Sequence, residues 1–306
     1  DWTCAGARAE GSMLTAYQQH WGIDQWVSYL RDKEIPVLPH SQAVMQVLRD
    51  EPPEERDRMS PRELTDFVYL DPYLALKLLR NAEDRRSRRL GQETTTALAA
   101  VLQLGYDDML HLVCDSATSD LEYLGAKQSV SHAVMAAHIA RSWAIYRADI
   151  SPDEVTLAAL LSDAGELLMW HFAPELPLKA EEELHSGRAQ RTLKAQQQAL
   201  GFTFKQLTLT LAQAWELPAL LSMLIRGTDT PRANIARLAI DTARHIIADM
   251  HNAALPSDLV NIHSVVQGAS YEQLVSPLPI PDADKQGILE AVKRGQVTTL
   301  DDQSPG

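Results

Sequence analysis

The chain is expected to be an all-α protein, and three observations carry that expectation. Aromatics make up only 6% of the 306 residues while 45% are hydrophobic, so the apolar content rests on helix formers such as alanine and leucine. Apolar residues recur at three- and four-residue spacing along most of the chain. No segment shows the two-residue alternation and hairpin punctuation of a half-buried strand.

Residues 1–12 lack periodicity and read as a tail. Residues 17–32 then place Trp21, Ile23, Trp26, Val27 and Leu30 near one helical face. The turn Ile35-Pro36-Val37-Leu38-Pro39 leads into a helix with Val44, Val47 and Leu48 on its apolar stripe. Ser60-Pro61-Arg62-Glu63 is a capping box with proline at the first helical position, and Asp71-Pro72 opens the next helix by the same logic. Helices follow over residues 94–104 and 107–116, separated by Gly105, and over 131–147. A single, almost wholly apolar helix is expected over 155–170. Residues 188–200, 203–215, 217–225 and 232–250 continue the pattern. Beyond His251, Pro256, Pro277, Pro279 and Pro281 interrupt it and leave one short helix over 282–293.

A formal net charge of −13 opposes bulk attraction to nucleic acid or to an anionic membrane. Cys4 and Cys114 are too few for a disulfide framework or a cysteine zinc site and read as free thiols of a reducing compartment. No basic segment precedes an apolar one near the start, and no run reaches the roughly 18 apolar residues of a membrane span. A cytoplasmic protein is expected.

The chemistry centres on Leu160-Leu161-Ser162-Asp163-Ala164-Gly165, an acid set in an apolar run where an unpaired charge is costly. A second stretch, His132-Ala133-Val134-Met135-Ala136-Ala137, carries small residues that let a neighbouring helix approach His132. Together these resemble the HD-type metal phosphohydrolases, in which a histidine, an adjacent His-Asp dyad and a later aspartate bind divalent metal. Here Ser162 stands where the dyad histidine would be, and a hydroxyl is a poor substitute for imidazole on a transition metal. Asp241 is the candidate for the later aspartate. A buried His132–Asp163 pair that satisfies its own hydrogen bonds is the favoured alternative to a metal site. A Ser162-His132-Asp163 triad is disfavoured, because no strand-to-helix elbow exposes the serine.

The resemblance extends over residues 35–250 to the bacterial HDOD family, relatives of the HD enzymes associated with signalling. Its motifs are matched by Ile35-Pro36-Val37-Leu38-Pro39, Glu63-Leu64, Asp71-Pro72-Tyr73-Leu74, Leu78-Leu79-Arg80, the alanine-rich stretch ending at Leu104-Gly105, and Trp215-Glu216-Leu217-Pro218. Departures fall on polar positions. Glu83-Asp84 stand near the family's Asn-Ser, Phe204 occupies a histidine position, and Arg226-Gly227-Thr228-Asp229 replaces a double histidine.

The resemblance implies a tail over 1–16, an N-terminal helical half over 17–125, a degenerate HD-like half over 126–252, and a C-terminal extension with one short helix over 253–306. It implies a non-catalytic regulatory module that binds a partner protein or a small ligand, with no cofactor and no metal. Two rivals stand beside it. One is a metal-dependent phosphohydrolase using His132 and Asp163. The other is a nucleotide- or nucleic-acid-binding regulator that uses Arg85, Arg86, Arg88 and Arg89, read as a basic loop.

Overall fold

The computed structural model describes residues 14–52, 59–87, 93–119 and 121–295. After a short 3-10 turn, Gln18–His20, seventeen α-helices follow among these residues. They are α1 (Ile23–Arg31), α2 (Pro39–Asp50), α3 (Pro61–Val68), α4 (Pro72–Ser87), α5 (Ala97–Leu104), α6 (Tyr106–Cys114), α7 (Leu124–Ala144), α8 (Pro152–Leu161), α9 (Ala164–Phe172), α10 (Glu175–His185), α11 (Thr192–Leu200), α12 (Phe204–Ala214), α13 (Ala219–Arg226), α14 (Pro231–Ala248), α15 (Leu255–Val265), α16 (Tyr271–Val275) and α17 (Asp282–Lys293). No strand occurs among the described residues; extended pairing is confined to an isolated parallel bridge between Val37 and Thr118. No single helix there is long and apolar enough to cross a membrane.

Local chemistry explains the starts. Ser60 accepts from the Glu63 amide while Glu63 reaches back to the Ser60 amide, which sets the N-terminus of α3. Thr203 and Gln206 do the same for α12. Asp71 is fully buried and joins two motifs. One carboxylate oxygen accepts the Leu74 amide at 3.0 Å at the start of α4, and the other accepts the Leu38 amide at 2.8 Å from the Pro-bracketed turn.

Two apolar clusters divide the interior, and α7 and α8 belong to both. Val130, Ala133 and Ala137 of α7, with Leu157, Ala158, Leu160 and Leu161 of α8, enter the cluster built on α1–α6, α9, α12 and α13. Ala136, Ile139, Ala140, Trp143 and Ala144, with Val155 and Ala159, enter the cluster shared with α14–α17. Helices apolar on every side must be covered on every side. The small residues of α7 allow α8 and α14 to pack along it more extensively than any other helix pair.

Several expectations are corrected. The helix expected over 155–170 is two helices, with Ser162 and Asp163 forming the turn between α8 and α9. In α2 the fully buried positions are Ser41 and Met45, and Leu48 packs against the core and Val44 is half-buried as expected, while Val47 is 64% exposed and leaves the stripe. Helix α7 begins at Leu124, well before residue 131, and α10 was not anticipated. The described residues of the segment 253–306, which end at 295, carry three helices, not one; Pro256 sits in the first turn of α15, where it is compatible with the helix. These helices are held by more than apolar contact: Trp143 Nε1 donates to the Leu274 carbonyl at 2.8 Å, and His245 Nδ1 lies 2.6 Å from Asp258 Oδ2. The proposed tail over 1–12 lies outside the described residues.

Candidate functional site

The two-residue turn between α8 and α9 creates the site. Asp163 adopts φ −104° and ψ 20° and occupies the N-cap of α9, yet its side chain makes no capping bond. The carboxylate instead crosses to α7, where Asp163 Oδ2 lies 2.8 Å from His132 Nδ1. The other ring nitrogen, Nε2, lies 2.9 Å from the carbonyl oxygen of Ile240 on α14. A carboxylate and a carbonyl are both acceptors, an arrangement that favours the doubly protonated ring. Burial opposes the charged ring, but the hydrogen bond and charge of Asp163 outweigh it and raise the His132 pKa above 6.5. Burial likewise disfavours the Asp163 carboxylate, and His132 outweighs that, holding its pKa below 3.8. The N-terminal end of the α9 dipole favours the same negative charge.

Gly165 permits the close approach that completes the wall. A Cβ there would lie 2.6 Å from the Phe204 carbonyl oxygen and 2.9 Å from the Thr208 amide of α12. Both are backbone atoms and cannot rotate away. The Gly165 amide instead donates to Thr208 Oγ1 at 2.9 Å. Gly165→Ala is expected to cost about 1–3 kcal/mol by overpacking, measured as a lower urea midpoint with an unchanged slope.

A cavity of about 550 Å³ opens beside the pair, lined among others by Ser129, His132, Ser162, Asp163, Glu166, Gln196, Phe204, Lys205, Arg226, Arg237, Asp241 and Arg244. Five residues singled out from sequence, His132, Ser162, Asp163, Phe204 and Asp241, therefore share one cavity. Their roles differ. Ser162 is buried and its hydroxyl donates to the Ala159 carbonyl at 3.1 Å. Phe204 is buried at the start of α12. Asp241 is engaged by Arg244 at 3.3 Å and Arg237 at 3.8 Å. Glu166, not anticipated, accepts from Ser129 Oγ at 2.8 Å and Trp170 Nε1 at 3.4 Å. Burial, and secondarily the Asp163 charge, raise its pKa.

This donor set does not fit a divalent ion. Both His132 nitrogens are already engaged by protein oxygens, Asp163 Oδ2 and the Ile240 carbonyl. Among the described residues no three His, Cys, Asp or Glu side chains converge as a metal centre requires. The arginine cluster is a separate matter, and the expectation of a loop there is corrected: α4 continues through Ser87, so Arg85 and Arg86 lie in its last turn. Arg85 pairs with Asp108 at 2.8 Å and Arg86 with the buried Glu83 at 2.5 Å. Arg88 and Arg89 lie outside the described residues.

An all-helical domain in which a histidine of one central helix pairs with an aspartate in the turn that ends the adjacent one is the architecture of an HD-like protein. The chain belongs to the HDOD domain family, whose profile matches residues 35–231. The fold is similar to that of a virulence factor from Campylobacter jejuni, at 15% identity and a TM-score of 0.65, covering 86% of this chain and 98% of that one. It is also similar to the MmoQ response regulator of Methylococcus capsulatus, at 16% identity and a TM-score of 0.60, covering 85% of this chain and 99% of that one. At these identities the likeness is one of fold. No protein of curated function matches the chain.

Proposed function

We propose that the chain is a non-catalytic regulatory module of bacterial signalling, one that keeps the HD-like cavity as a binding site without hydrolytic chemistry. The observation that carries this reading is the double engagement of His132, one ring nitrogen on the Asp163 carboxylate and the other on the Ile240 carbonyl. Metal-assisted hydrolysis needs a neutral imidazole lone pair and an ion whose bound water is acidified. A histidine engaged at both nitrogens supplies a structural strut between α7, the α8–α9 turn and α14. The serine at position 162 is turned to the backbone of its own helix, which removes it from the same task. The likeness to the MmoQ response regulator adds weight to a place in signalling, and the partner is proposed to be a protein of such a pathway.

Protein purified without chelator is expected to carry far less than one equivalent of transition metal by elemental analysis. It is also expected to hydrolyse bis(p-nitrophenyl) phosphate at the buffer rate with manganese, magnesium or nickel added. Stoichiometric metal together with hydrolysis abolished by Asp163→Asn would make the chain an enzyme and overturn the proposal. Ser162→His is expected to leave turnover at background, because His132 would still be committed to Asp163 and Ile240.

A further inference from the structure

We propose that the cavity beside the His132–Asp163 pair is a receptor for a small organic phosphate, gripped at the rim by Lys205 and Arg226 and inside by Gln196. The proposal rests on the non-catalytic reading and gives its ligand a chemistry. The chain carries a net charge of −13, yet four basic side chains from three helices, Lys205, Arg226, Arg237 and Arg244, converge on this one cavity. Two of them, Arg237 and Arg244, share the single carboxylate of Asp241. The other two do not. The Lys205 ammonium meets only the Arg226 carbonyl oxygen, at 3.3 Å, and the Arg226 guanidinium has no acidic partner among the described residues. The nearby carboxyls make their hydrogen bonds elsewhere. Asp163 is engaged by His132 at 2.8 Å, and Glu166 accepts from Ser129 and Trp170.

The second, independent observation lies deeper. Gln196 is only 4% exposed and lines the cavity. Its carboxamide oxygen accepts the Phe204 amide at 2.9 Å, and its NH2 group, which has no protein acceptor among the described residues, is left to the open space of the cavity. A donor so placed, fixed by the bond its own oxygen makes, is available to an acceptor on a bound molecule. The volume, about 550 Å³, lies within the range of small-molecule sites. Leu193, Leu224 and Ile247 provide an apolar wall for an organic body. An adjacent lysine and unpaired arginine match a dianionic phosphate, which accepts the guanidinium in bidentate fashion.

The test is titration calorimetry of the full chain at low salt with inorganic phosphate, pyrophosphate, adenosine 5′-monophosphate, glucose 6-phosphate and citrate. At least one organic phosphate is expected to bind more tightly than inorganic phosphate and citrate. Its affinity should fall at least tenfold in the Lys205→Gln/Arg226→Gln double variant, fall in Gln196→Leu, and stay unchanged in Arg85→Gln. Circular dichroism melts matching the wild type would show that the variants fold. Failure of every phosphate to bind overturns the proposal, as does equal binding by the double variant or by citrate. Phosphate release measured in the same solutions separates the two readings. Binding with turnover overturns only the non-catalytic reading, and absence of both overturns only the receptor.

Discussion

Trp143→Ala is expected to lower stability by about 3–5 kcal/mol, the range for removing a fully buried tryptophan. The indole is 0% exposed and lies on α7 where the α14–α17 cluster meets it. Its Nε1 donor is the partner of the Leu274 carbonyl, so truncation leaves a cavity and also strands a buried acceptor. Equilibrium urea unfolding followed by circular dichroism should show the shift. Trp143→Phe retains most of the volume and loses the hydrogen bond, so it should cost about 1–2 kcal/mol. Equal stability of Trp143→Ala and the wild type would mean that the C-terminal helices do not pack on α7 as described.

The second large effect is expected from Asp163→Ala. Removing one partner of a buried ion pair costs about 3–5 kcal/mol when both groups are fully enclosed. The Asp163 side chain is 24% exposed and that of His132 10%, so a value below that range, about 2–3 kcal/mol, is the expectation. The pH dependence has a definite sign. The His132 pKa is raised above 6.5, so its contribution is complete below that value and is lost as pH rises through the folded-state pKa. The Asp163 pKa is lowered below 3.8, so its contribution is complete above that value and is lost as pH falls through the folded-state pKa. Both are complete between these limits. The difference between wild type and variant should therefore be greatest near about pH 5 and shrink on either side. A difference independent of pH would show that Asp163 acts by packing alone.

Much of the architecture could be read from local chemistry. The capping boxes at Ser60 and Thr203, the proline after Asp71 and the apolar periodicity identify helices without reference to partners. The proximity of His132 and Asp163 was legible through the resemblance to HD-type enzymes, which sets a helix histidine against a later aspartate; local chemistry alone would not have chosen His132 over His138 on the same alanine-rich run. The turn at Ser162–Asp163 was not. Leu160 and Leu161 before it and Leu167 and Leu168 after it are all buried, so the apolar pattern runs on across the change of direction. Helix α15 was missed because a proline reads as a breaker until its position in the first turn is known. The rim of the cavity was invisible for another reason. Lys205, Arg226, Arg237 and Arg244 lie on α12, α13 and α14, and only tertiary packing brings them to one opening. The run at Arg85 drew attention because it is contiguous, although Arg85 and Arg86 are each matched by a carboxylate of the same chain.

The placement of α7 and α8 in both apolar clusters has a mechanical consequence. A molecule made of two bodies joined by a linker can bend at the linker, and each body survives the loss of the other. Here the same two rods form a wall of both compartments, and His132 and Trp143 stand eleven residues, about three turns, apart on one of them. Separating the two clusters would strip the cover from one side of α7. Any displacement of the last three helices bears directly on the rod that carries His132.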